Sequence, residues 1–241
     1  MRKLFLLSTA VIFLVSFADA QKKVYDENAE VRITGKDFHG IKISGGIDLY
    51  LSQGDQTNVV ASATETKFRD RIKTEIIDGI LKIWYDNDGG WRWNTGNKKL
   101  KVYVSCKSID QLNASGASDV NVDGALKAEN LDIDLSGASD LKGNIVVTNK
   151  LNVEQSGASD ARISGSAVDL KLKSSGASDF KGFDFEVQSC DAHASGASDI
   201  QITVNKELKA HASGASDIHY KGNAVITDLH SSGASSVKKR G

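Results

Sequence analysis

A chain of 241 residues with 30 Lys and Arg against 31 Asp and Glu carries no bulk field, which removes the electrostatic case for nucleic acid or an anionic membrane as partner. Proline is absent and glycine numbers 22. That balance suits many short strands joined by glycine turns, because proline lacks the N–H that a central strand must donate.

Residues 1–20 read as a secretory leader. Arg2 and Lys3 form its basic start, Leu4 to Phe17 its apolar run, and Ala18-Asp19-Ala20 a small-x-small cleavage site. The apolar run falls short of the ~20 residues a membrane span needs, and no later run could span a bilayer either. Export to the periplasm, the outer surface or the extracellular space is therefore expected. Residues 21–37 form a lead-in with an N-terminal strand.

From 38 to 110 the pattern is one of degenerate coils. Ser44-Gly45-Gly46-Ile47-Asp48 precedes the alternating Leu49 and Leu51. Asp78-Gly79 stands between Ile76-Ile77 and the alternating Leu81, Ile83 and Tyr85, a hairpin signature. Asp86 to Lys99 is polar and glycine-rich and reads as a protruding loop. Lys101 to Ser105 reads as a strand with Val102 and Val104 inward.

Residues 111–235 hold the regular part. Ser-Gly-Ala-Ser-Asp occurs six times, starting at Ser115, Ser136, Ser156, Ser175, Ser195 and Ser213, and Ser-Gly-Ala-Ser-Ser follows at Ser232. The spacings are 21, 20, 19, 20, 18 and 19 residues, the mark of one unit stacked on the next. Aligned on the first serine, the column three residues earlier reads Leu112, Ile133, Val153, Leu172, Ala192, Ala210, Leu229. Five residues earlier it reads Asp110, Leu131, Leu151, Leu170, Cys190, Leu208, Thr227. The columns between are polar. Such alternation means strands with one face inward. Each unit is expected to hold a strand ending at the serine, a turn through Gly-Ala-Ser, a strand starting at the aspartate and a variable third segment such as Ile145 to Thr148.

The predicted fold is all-β: a right-handed parallel β-helix, or β-solenoid, with ~20-residue coils. An antiparallel sandwich would explain the strands but not identical turns, since sandwich turns occupy different environments. Glycine supplies the positive φ of a tight corner, and the serine and aspartate side chains accept hydrogen bonds from turn amides. Cys106 and Cys190 sit about four coils apart, roughly 19 Å at ~4.8 Å per strand, so two buried free thiols are expected. Lys238-Lys239-Arg240, within residues 236–241, reads as a short basic tail after the last strand.

The leader, the segment Ile41-Lys42-Ile43-Ser44-Gly45-Gly46-Ile47-Asp48-Leu49-Tyr50-Leu51, Asp78 to Ile83 and the pentapeptide series together resemble the auto-transporter adhesin, head GIN domain, family of exported Bacteroidetes-type proteins. The resemblance covers roughly residues 38–230. It implies a right-handed β-helix at the cell envelope or surface, and it brings no catalytic residues that could be carried over.

Three features invite chemistry. Asp119, Asp140, Asp160, Asp179, Asp199 and Asp217 would stack about 5 Å apart, with repulsion near ~1 kcal/mol per pair in water. Amide capping is the favoured relief, and calcium held between coils the alternative. Second, an outward column reads Asn113, Asp134, Glu154, Lys173, His193, His211, His230. Its three histidines, with Asp191 and Asp228 two residues upstream, suit Zn²⁺, Ni²⁺ or Cu²⁺, against a plain row of solvated imidazoles. Third, Trp91, Arg92 and Trp93 lie in the polar loop as a ligand or partner contact, against an indole cap on the solenoid end.

Serines recur with the period and so belong to corners, and no nucleophile–base pair stands out. The favoured reading is a non-enzymatic, exported, adhesin-like binding or structural module of the cell envelope, contacting surface glycans or protein partners and requiring no cofactor. A carbohydrate-active β-helix enzyme and a metal-sequestering envelope protein are the alternatives.

Overall fold

The computed structural model describes residues 26, 28–87 and 97–241. Residues 1–20, expected to form a leader, and the Trp91-Arg92-Trp93 segment lie outside the described residues. The chain is nearly all β, with stacked parallel coils of about 20 residues forming a β-solenoid of about six turns.

Seven strands and one short helix build the first end: β1 (Glu30–Thr34), β2 (Gly40–Ile43), β3 (Asp48–Gln53), β4 (Asn58–Ser62), α1 (Thr66–Arg69), β5 (Ile72–Ile77), β6 (Ile80–Tyr85) and β7 (Lys101–Cys106). The regular coils follow as β8 (Gln111–Ala114), β9 (Val120–Leu135), β10 (Asp140–Gln155), β11 (Asp160–Ser174), β12 (Asp179–Ala194), β13 (Asp199–Ala212), β14 (Asp217–Lys221), β15 (Val225–Ser231) and β16 (Ser236–Lys239). Each of β9 to β13 is a single bent strand running from one pentapeptide to the next. The three separate segments expected from the sequence are thus merged. Softer corners are absorbed as bulges, such as the register shift between Lys142 and Asn144 of β10 against β9.

The sharp corner falls at the pentapeptide. Its glycine has φ between 76° and 81° in all seven copies. The alanine N–H donates to the glycine carbonyl one coil below at 2.7–2.8 Å, from Ala138 to Ala234. The inter-coil ladder therefore runs on through the corner, and the alanine amide needs no side-chain cap. The second serine does cap. Ser178 Oγ donates to the Ser175 carbonyl at 3.0 Å and accepts the Ser159 N–H at 3.3 Å. Ser118, Ser139, Ser159, Ser178, Ser198 and Ser216 are all fully buried. In the eroded first copy Ile47 takes this slot, also fully buried.

The core is a narrow stack of like positions. Leu131, Leu151, Leu170, Cys190 and Leu208 lie in register from coil to coil, and Phe180 and Phe185 fill the middle with no exposure. The column then departs from the sequence alignment. Ile226, not Thr227, pairs with Leu208, because β15 shifts register by one residue. Thr227 turns outward and its hydroxyl donates to Glu207 Oε1 at 2.8 Å.

At the first end the chain does not spool in order. β2 and β3 form a coil that lies between two others: β8 and β9 pair with it on one side, and β6 and β7 pair with it, also parallel, on the other. The β6–β7 coil is thus outermost, although it follows β2–β3 in sequence. Antiparallel strands finish it. β5 forms a hairpin with β6 through Asp78 and Gly79, at φ 53° and 75°, and β4 pairs with β7, with β1 beyond. α1, unforeseen in the sequence, buries Phe68 beside this cap.

Both cysteines are free and buried. Their separation exceeds the sequence-based expectation. Cys106 stands in the outermost coil, and the strand order β7-β3-β9-β10-β11-β12 puts five ladder steps between it and Cys190. At ~4.8 Å per step that is roughly 24 Å. The basic residues near the C-terminus also differ from a tail: Lys238 and Lys239 belong to β16, paired in parallel with β14, and charge an edge strand in the manner that discourages edge pairing.

Candidate functional site

One flat face carries the polar files. Asn113, Asp134, Glu154, Lys173, His193, His211 and His230 are in register on consecutive strands, so the expected outward column forms. Two residues upstream a second file runs beside it through Asp132, Asn152, Lys171, Asp191, Lys209 and Asp228. Both follow from the period-2 alternation of strands that end at the pentapeptide corner. Lys173 Nζ meets Glu154 Oε1 at 2.8 Å. Glu154 and Asp132 together, after burial, push the Asp134 carboxyl above its ordinary pKa.

Where this face turns into the corners, a shallow groove of about 410 Å³ runs across four coils. Asp134, Glu154, Lys173 and His193 form one wall, and the leading serines of the corners, among them Ser156 and Ser175, form the other. Its lining includes hydroxyl, carboxylate and ammonium groups that can hydrogen-bond a polyhydroxylated ligand, set among apolar surface.

The histidines continue the same file. Ring centroids of His193 and His211 are 4.6 Å apart and those of His211 and His230 4.8 Å, both edge-on. The three do not converge. His193 Nε2 pairs with Asp191 of its own strand at 3.0 Å. His211 has Lys209 at the corresponding upstream position, so its Nε2 turns to Asp228 Oδ2 of the next strand, also at 3.0 Å. His230 Nε2 lies 3.3 Å from the other oxygen of the same carboxylate. The His211 contact leads the interactions that hold Asp228 below the usual carboxylate range. Among the described residues, His211, Asp228 and His230 form a group whose ligand atoms all lie within 4.8 Å of one another. The alternation Asp191, Lys209, Asp228 was legible in the sequence, yet only the side-chain geometry shows one carboxylate serving two imidazoles.

The aspartates stack as expected, Asp140, Asp160, Asp179, Asp199 and Asp217 pairing strand to strand. Their charge meets amides and cations. Asp140 Oδ1 accepts the Asp160 N–H and Asp160 Oδ1 the Asp179 N–H, each at 3.3 Å. Lys181 Nζ sits 3.3 Å from Asp160 and 2.9 Å from Asp179. Ser236 Oγ donates to Asp217 at 2.6 Å, which lowers that carboxyl's pKa. At the other end Asp119 is raised, by burial first and then by Asp140 and Asp48.

Fold and face together define a class: a β-solenoid whose chemistry-bearing residues lie in regular external files. The chain belongs to the family described as "Putative auto-transporter adhesin, head GIN domain", whose model matches residues 37–224. Three solved structures share the fold. A putative adhesin from Bacteroides fragilis is 23% identical with a TM-score of 0.78, covering 89% of this chain and 98% of that one. A putative lipid binding protein from Parabacteroides distasonis is 19% identical with a TM-score of 0.66, covering 89% and 98%. A putative adhesin from Parabacteroides merdae is 20% identical with a TM-score of 0.62, covering 88% and 96%. No curated protein matches the chain. Adhesin membership implies an exported or surface protein, and among the described residues no helix is long and apolar enough to cross a membrane.

Proposed function

We propose that this protein is a non-enzymatic, exported, adhesin-like binding module of the cell envelope that retains a surface glycan along its polar face. The carrying observation is the groove beside the corners. Carboxylates of Asp134 and Glu154, the Lys173 ammonium and serine hydroxyls repeat there at the coil spacing, and a repeating polar lattice matches a repeating saccharide. A rigid sheet presents these groups with little ordering cost on binding. Trp91, Arg92 and Trp93, in the segment joining β6 to β7, are proposed as a second contact.

A glycan array probed with the protein tests this. Glu154→Ala/Lys173→Ala should lose the retained glycan at unchanged melting temperature. Failure to retain any glycan refutes the reading. Retention that survives the groove variant but not Trp91→Ala/Trp93→Ala moves the site to the tryptophan segment. Breakdown of a retained glycan on incubation would instead establish the carbohydrate-active enzyme. Protease shaving of intact cells distinguishes an outer-surface location from a periplasmic one.

A further inference from the structure

The geometry points to a transition-metal site of the two-histidine, one-carboxylate type at the far end of the polar face, built by His211, Asp228 and His230. It is independent of the glycan groove, whose wall ends at His193.

Three observations carry it. First, two imidazole nitrogens already aim at one carboxylate, His211 Nε2 at 3.0 Å and His230 Nε2 at 3.3 Å from its two oxygens. A carboxylate shared by two imidazole nitrogens marks a point where positive charge is favourable, and a divalent ion satisfies all three groups at once. Second, the size fits. Bonds of about 2.1 Å to a tetrahedral Zn²⁺ place ligand atoms roughly 3.4 Å apart. The three atoms lie within 4.8 Å of each other, so side-chain rotation needs to close no more than about 1.4 Å, within what χ changes of an exposed ring supply. Third, the backbone is fixed: His211 and His230 are direct partners on the paired strands β13 and β15, and Asp228 is on the same face of β15.

Imidazoles select Zn²⁺, Ni²⁺ or Cu²⁺ over calcium or magnesium. His230 is 73% exposed, which leaves the remaining coordination positions open to water or a ligand, as in sites that are not purely structural. His193 is not part of the set, because Asp191 holds its Nε2 at 3.0 Å. The exposed Lys209, in register with Asp228, is a neighbouring cation that opposes the ion.

The test is calorimetric titration of the untagged protein with zinc chloride. One ion per chain is expected. His211→Ala, Asp228→Asn and His230→Ala should each weaken it by at least about 100-fold, the upper end of what loss of a supporting partner alone costs, while His193→Ala changes it by less than about threefold. His230, the most exposed member, is the variant least able to act through folding, and melting curves of all four variants accompany the titrations. Absence of zinc binding overturns the proposal. So does binding that survives His230→Ala, or that His193→Ala weakens as much as His211→Ala does; the latter would make the whole histidine file, not the triad, the binding element.

Discussion

Replacing Gly196 by alanine tests whether the corners are held by stacking or merely by a backbone angle. The residue has φ +79°, and a Cβ built on it would stand 2.5 Å from the Gly176 carbonyl oxygen, 3.1 Å from its N and 3.3 Å from its C. That oxygen cannot swing aside freely, since it accepts the Ala197 N–H at 2.7 Å. Gly124 is the matched control: its φ is +78°, and its Cβ would meet nothing within 4 Å. The left-handed conformation costs alanine about 1–2 kcal/mol at either site. Forcing a methyl against ordered backbone adds about 1–3 kcal/mol at Gly196 alone. Gly196→Ala should therefore lose roughly 2–5 kcal/mol and Gly124→Ala roughly 1–2 kcal/mol in denaturant unfolding followed by circular dichroism. Equal losses would refute the stacking argument and leave the angle as the sole reason for glycine.

Three further outcomes follow from the same geometry. Ser178→Ala leaves the buried Ser159 N–H without the Ser178 hydroxyl it reaches at 3.3 Å, and should cost about 1–3 kcal/mol; no change in the denaturation midpoint would show that the serine file is dispensable. Asp119 has a raised pKa in the folded state, so its contribution is fully present below the unfolded pKa and is lost as pH rises through the folded one. Asp119→Asn should accordingly raise the melting temperature at neutral pH, with the gain shrinking towards acid; a lower melting temperature at neutral pH would contradict this. Burial pushes the Cys106 thiol up to about 11 and Cys190 higher still. Both should resist a thiol reagent at pH ~8 until denaturant is added, because the thiolate is the reactive form, and rapid labelling of the native protein would count against their burial.

The coil length, the inward columns and the corner residues were legible in the chain because a solenoid repeats one environment. Selection for that environment writes the same letters every 18 to 21 residues, and the period-2 pattern then assigns each letter a face. The histidine file followed from alignment alone. Three things did not. β2–β3 lies between β6–β7 and β8–β9 because strand order depends on which edge a later segment finds free, and hydrogen bonds between parallel strands carry no record of sequence distance. The outward turn of Thr227 depends on a one-residue shift that Ile226 wins by burying more apolar surface. Asp228 serves two histidines because Lys209 leaves His211 without a carboxylate two residues upstream in its own strand, a choice made by side chains only once the coils are stacked. Periodicity thus settled what every coil has in common, while the unique contacts at the two ends were decided by packing in space.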